Sequence, residues 1–187
     1  MSVKNYKKFH KPLTEDKTKF HQGYFIPKNK EKCLSKENIY RSSWELKFFD
    51  WLDRSPKVLR WAAEPIAVQY LNPILNLKYC IQNNLNPKDP HNWKKANYYL
   101  DAWMEILDNN NKSQKYFIEI KPYSQTKKPE PILESSSLKE HKAYNRAAET
   151  YLVNLEKWKA AIKFCNERGV KFIIITEKTL GDKLGLL

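Results

Sequence analysis

From Tyr40 onward apolar residues recur at three- and four-residue spacing, with Trp44, Phe48, Trp51 and Leu52 falling on one face. This predicts a helix capped by Ser42 and closed by Asp53 to Lys57. The pattern then changes to extended apolar runs. These run from Val58 to Tyr70, interrupted at Glu64-Pro65 and ending before Asn72-Pro73, then from Tyr98 to Leu107, and from Lys115 to Lys121. Asp108-Asn109-Asn110-Asn111-Lys112, between the last two, reads as a hairpin turn, because Asn and Asp tolerate the left-handed backbone that tight turns need. Residues 72–97 hold three prolines and one short apolar patch, Leu75 to Ile81, and read as a surface insertion. After Lys121 the segment PYSQTKKPEP is too rich in proline for a helix and forms a loop at the strand end. Ser137-Leu138-Lys139-Glu140 opens a helix that runs to about Leu152. Asn154 caps another, Leu155 to Arg168, stopped by Gly169, and a last strand covers Val170 to Thr176.

The predicted order is therefore helix, three strands, helices, strand, an α/β arrangement. The uninterrupted apolar run Phe172 to Ile175 suits a strand covered on both faces. Its link to the Glu119 strand is helical and long enough for a right-handed crossover, which makes the two parallel and the sheet mixed. A chain of 187 residues with 41% apolar content fits one domain, taken here as residues 40–187. Residues 1–39 form a basic arm in which Tyr6, Phe9, Phe20, Tyr24 and Phe25 are interleaved with lysines.

The net charge of +13 changes the picture, because such a surface attracts polyanions. No segment approaches the roughly 20 apolar residues of a membrane span, and no signal peptide precedes the charged start, so nucleic acid is the expected partner rather than a membrane. Cys33, Cys80 and Cys165 are far apart, odd in number and without a CxxC pair. That argues for reduced thiols rather than a disulfide framework or a zinc site.

The candidate chemistry lies in the hairpin. Glu119 and Lys121 project from one face of their strand while Ile118 and Ile120 project from the other. A loop of odd length centred on Asn110 sets Asp101 directly across from Glu119, roughly 5 Å away at the β-carbon. Two carboxylates that close repel unless one is protonated or a cation lies between them. Oxygen ligation by Asp101, Glu119 and the carbonyl of Ile120 suits Mg²⁺, with Mn²⁺ as the alternative. Lys121 could then hold the attacking water or stabilise charge on a phosphate. The competing reading makes these residues ordinary polar groups on a solvated strand face. Glu45, three residues after Ser42, reads on its own as the far half of a capping box.

The acid in the first helix, the acid before a hairpin and the Glu-x-Lys of the next strand together resemble the PD-(D/E)XK nuclease superfamily. The strings YRSSWELKFFDWLD, WAAEPIAVQY, YYLDAWM, FIEIKP and EKWKAAIKFCNERGVKFIIITE closely resemble the head-completion nucleases of contractile-tailed bacteriophages. A looser likeness extends to the TnsA transposase endonucleases. The resemblance covers about residues 22–180 apart from the insertion. It implies a restriction-endonuclease-like fold, a mixed central sheet flanked by helices with the core order αβββαβ. It also implies Mg²⁺-dependent hydrolysis of DNA, with Glu45, Asp101, Glu119 and Lys121 as the catalytic set. The superfamily's Pro-Asp is here Leu100-Asp101, which keeps the acid. Candidate nucleic-acid contacts are Arg41, Ser42, Lys127, Lys128 and Lys157. The implied setting is the host cytoplasm during assembly and the virion head or neck, with DNA and portal or neck proteins as partners. The alternative is a non-catalytic head or neck protein that binds DNA ends or the portal.

Overall fold

A computed structural model describes residues 10–12 and 22–185 of the chain. The aromatic positions Tyr6, Phe9 and Phe20 of the basic arm lie outside the described residues. Three short strands, β1 (His10–Pro12), β2 (Gly23–Phe25) and β3 (Ile39–Tyr40), pair antiparallel in that order and lead into α1 (Ser43–Arg54). The Ser42 hydroxyl accepts the Glu45 N–H at 3.1 Å, satisfying one of the four amides that a helix start leaves unpaired. Of the apolar stripe read from sequence, Phe48 and Leu52 are buried in α1 while Trp44 and Trp51 are half-buried, and Leu46 and Phe49 complete the inward face.

The central sheet is formed by β4 (Val58–Ala63), β7 (Ala102–Leu107), β8 (Ser113–Ile120) and β9 (Lys171–Ile175), in the spatial order β4-β7-β8-β9. The first two pairings are antiparallel and β8 with β9 is parallel, so the sheet is mixed as its connections predicted. α1 packs on one face, against Ala102, Met104, Ile118 and Ile120. Phe25, from the segment assigned to the arm, and Tyr40, the first residue of the expected domain, complete this core, with the rings of Phe25 and Phe49 at 5.8 Å and 5.6 Å from that of Trp61. The other face carries Trp103, Phe117 and Phe172 under α3 (Leu138–Asn166).

Three sequence expectations change. The run Tyr98 to Leu107 is not one strand: β6 (Lys95–Tyr99) pairs with β5 (Ala67–Leu71) in a separate two-stranded ribbon, and the chain bends at Leu100-Asp101 to enter β7. The bend is fixed by backbone bonds from Leu100 N–H to the Ile66 carbonyl and from Glu64 N–H to the Asp101 carbonyl. Within the insertion, Asn72 caps a helix, α2 (Pro73–Gln82), which carries proline at a first-turn position where no amide is needed. Lastly, α3 is one continuous helix rather than two. Ser137 and Glu140 close its start as a capping box, and Asn154, instead of capping, is buried on the stripe that continues through Trp158, Ala161 and Cys165.

Asp53, at the end of α1, is 1% exposed and accepts the backbone N–H groups of Lys28 at 2.9 Å and Asn29 at 3.2 Å. Asp53→Ala strands those amides and lowers unfolding free energy by about 2–3 kcal/mol, read as a shift in urea midpoint without a change in slope.

Candidate active site

The β7–β8 turn sets the geometry. Leu107 pairs with Ser113 across a five-residue loop in which Asn111 has φ +58°, a left-handed conformation that asparagine adopts readily. The Asp108 carboxylate accepts the N–H groups of Asn110 at 2.8 Å and Lys112 at 2.9 Å, which fixes the loop length. Because the loop is odd, Ala102 pairs with Ile118, and one step further Asp101 stands opposite Glu119.

Asp101 is held on the bend before β7, where its Oδ2 accepts the Ile120 N–H at 2.6 Å. Glu119 is 1% exposed. Its Oε1 meets Lys121 Nζ at 2.8 Å, while its Oε2 is buried without a hydrogen-bond partner. Burial and then the charge of Glu119 hold the Asp101 carboxyl well above the usual range, with Lys121 opposing. Burial alone would lower Lys121, but Glu119 and Asp101 outweigh it and leave the ammonium more basic than usual. At pH 7 the cluster therefore keeps a charged lysine among acids that would prefer a stronger counter-charge.

Glu45 performs its capping role and also faces this cluster. Its Oε1 accepts the Ser42 hydroxyl at 2.9 Å and its Oε2 the Arg41 N–H at 2.8 Å, one residue before the donor of an ordinary capping box. Burial pushes its carboxyl up, and Lys121 is among the charges that oppose the shift. Glu45 does not join Asp101 and Glu119 in a tight three-acid cluster: among the described residues no three His, Cys, Asp or Glu side chains converge as a metal-binding group. What does fit a hard divalent ion is the facing pair Asp101 and Glu119, with one carboxylate oxygen left over in a buried setting.

The remaining candidates separate. Ser42 is committed to the cap, and the Arg41 guanidinium bonds Glu64 through Nε at 3.1 Å and Nη2 at 3.3 Å. Lys127 and Lys128 are exposed on the loop after β8, Lys127 lying 5.2 Å from the Tyr123 ring centre. Lys157, on α3, lies close enough to Glu119 and Asp101 for their charges to act on it. Tyr98, whose buried phenol is kept protonated by burial and then by Glu119, was missed by sequence reasoning, as was Glu64, whose φ of +40° marks the bend. The available signals were the second tyrosine of the YYLD string and the Glu-Pro that interrupts an extended run.

The comparisons with known proteins agree with one another. The family model described as TnsA-like endonuclease N terminal matches residues 55–177, which include Asp101, Glu119, Lys121 and Lys157. The chain is also 34% identical, over 163 residues, to the head completion nuclease of Enterobacteria phage T4, spanning 86% of this chain and 93% of that protein. The mixed sheet with helices on both faces is accordingly the restriction-endonuclease-like fold of that family. The chain belongs to the TnsA-like endonuclease family and is a homologue of the phage T4 head completion nuclease.

Proposed function

We propose that this protein is a metal-dependent deoxyribonuclease that processes DNA during completion of a packaged phage head. The observation that carries the reading is the buried pair Asp101 and Glu119, set opposite each other with Lys121 bonded to one and an unpartnered oxygen on the same carboxylate. Crowding like charges in a low-dielectric setting destabilises the fold, so the arrangement needs a ligand that rewards it. Asp101, Glu119 and the Ile120 carbonyl would hold Mg²⁺, or Mn²⁺ in its place. When bound, the ion supplies charge neutralisation at the scissile phosphate and a more acidic water.

The chain's own groups do the rest. The Ile120 N–H orients Asp101, so that its carboxylate is presented rather than free to turn away. Lys121, whose ammonium rests on Glu119 at 2.8 Å, would hold the attacking water and stabilise the extra negative charge of the transition state. Glu45 acts on Lys121 through the field of its carboxylate while tying α1 to the site. Arg41, Lys127 and Lys128 are the outer phosphate contacts. The Arg41–Glu64 pair is exposed enough to exchange for a phosphate at small cost. Portal or neck proteins complete the partner set, and the site of action is the host cytoplasm during assembly or the head and neck of the virion. Among the described residues no helix is long and apolar enough to cross a membrane.

The test is incubation of purified protein with plasmid and with branched DNA, with Mg²⁺ or with a chelator. Cleavage that requires the ion is expected. DNA binding without cleavage in any divalent ion would instead leave a non-catalytic head protein that binds DNA ends.

A further inference from the structure

Lys157 stands where a lysine is costly. The inward stripe of α3 is formed by Asn154, Trp158, Ala161 and Cys165, all buried, and Lys157 falls within it, three residues after Asn154 and four before Ala161. Its ammonium lies 5.1 Å from the ring centre of Tyr98 and 5.7 Å from that of Tyr70, on neighbouring strands of the β5–β6 ribbon. Two ring faces offset part of the water the ammonium gives up. The remainder is not recovered by an ion pair: among the described residues Lys157 makes no salt bridge, although Glu119 and Asp101 lie close enough to act on it. Lys121 shows the contrast, since its ammonium rests directly on Glu119 at 2.8 Å. A lysine there merely to neutralise the acids would do the same. Lys157 instead keeps the three donors of its ammonium uncommitted beside the acids.

The charges lead to the same place. Asp101 and Glu119 act on both Lys121 and Lys157, and Glu45 on Lys121, so with all three acids ionised a divalent ion would leave a net single positive charge to receive a phosphodiester. Without Lys157 that excess vanishes. We propose that Lys157 is a second catalytic cation, whose ammonium contacts a non-bridging oxygen of the scissile phosphate from the α3 side and is held there by Tyr70 and Tyr98. The proposal rests on the nuclease reading of the Asp101–Glu119 site. It also gives the ribbon that flanks the 72–97 insertion a purpose, since β5 and β6 supply both rings.

The experiment uses the full chain, Mg²⁺ and the DNA that the wild type cuts, with kcat and KM measured separately and DNA affinity measured in chelator. Lys157→Met keeps the stem against the rings and removes the charge. Its kcat is expected to fall on the order of 100-fold, as for loss of one well-placed electrostatic group, while DNA affinity changes by less than about threefold. Lys157→Arg keeps a good part of the rate, because the contact needs charge and donors rather than a transferable proton. It also serves as the reading if Lys157→Met does not fold: a Lys157→Arg protein with a rate no different from that of a folded Lys157→Gln protein overturns the proposal. An unchanged kcat with a raised KM, or no change in either, overturns it too, since those are the marks of a peripheral DNA contact and of a packing role. Asp101→Asn is the control that separates the two claims. If the wild type does not cut, both fall. If it cuts, Asp101→Asn does not, and Lys157→Met cuts at the wild-type kcat, the assignment of Lys157 alone is wrong.

Discussion

If the proposed site is right, Asp101→Asn and Glu119→Gln will each lower Mg²⁺-dependent cleavage by more than about 100-fold, because removing a ligand costs more than removing the groups that merely support one. The two variants will remain folded, and the first will be more stable than the wild type in the absence of divalent metal. Asparagine keeps an acceptor for the Ile120 N–H, which reaches Oδ2 at 2.6 Å, and deletes the charge that repels Glu119. The sign in pH follows from linkage. Asp101 has a folded pKa above its unfolded value of about 4, so between those two values the folded state holds a proton that the unfolded state has released. Stability of the metal-free wild type therefore falls as pH rises through that window and recovers on mild acidification. The thermal midpoint of Asp101→Asn loses this dependence, and its advantage over the wild type disappears at the acid end or when Mg²⁺ is added to the wild type. A variant that cuts at the wild-type rate, or whose stability follows pH as the wild type does, would remove Asp101 from the site.

Lys121→Met will lose on the order of 100-fold in kcat. Lys121 Nζ lies 2.8 Å from Glu119 Oε1, beside the proposed metal ligand and within range of charge that would develop on a phosphate held there. Methionine keeps the stem, which is half-buried, and leaves Glu119 with neither oxygen paired. The variant should therefore need more Mg²⁺ to reach its own maximal rate, or bind it with altered pH dependence, while DNA affinity in chelator persists. Lys121→Arg will not restore the rate, because a wide, forked guanidinium does not reproduce the compact ammonium's contact with the buried Glu119 Oε1. This differs from the expectation at Lys157, so the pair of arginine variants distinguishes the two lysines. Full activity in Lys121→Met would assign the ion pair to structure alone.

Much of the site could be read from local rules. The start of α1 follows from Ser42 and an apolar stripe. The placement of Asp101 opposite Glu119 follows from two facts with short range: side chains alternate along a strand, and the asparagine-rich turn holds an odd number of residues. The parallel pairing of β8 with β9 follows from the length and helicity of the connection. The first two depend on nothing remote in the sequence, and the third only on the connection that joins the two strands.

The tertiary structure decided what depends on remote partners. Leu100-Asp101 could have continued one strand; Ile66 and Glu64, more than thirty residues earlier, bend it by taking its backbone hydrogen bonds. Asn154 has the chemistry of a cap, yet burial of the stripe on either side of it carries α3 straight through. Lys157 and Tyr98 are separated by nearly sixty residues and carry no shared motif, so only the packing of α3 on the β5–β6 ribbon brings them to Glu119. Helix caps, turn parity and strand alternation are energies of neighbouring residues and are written in sequence order. The bend, the unbroken helix and the approach of Lys157 to Glu119 arise from contacts whose free energy exists only once the layers have closed on each other.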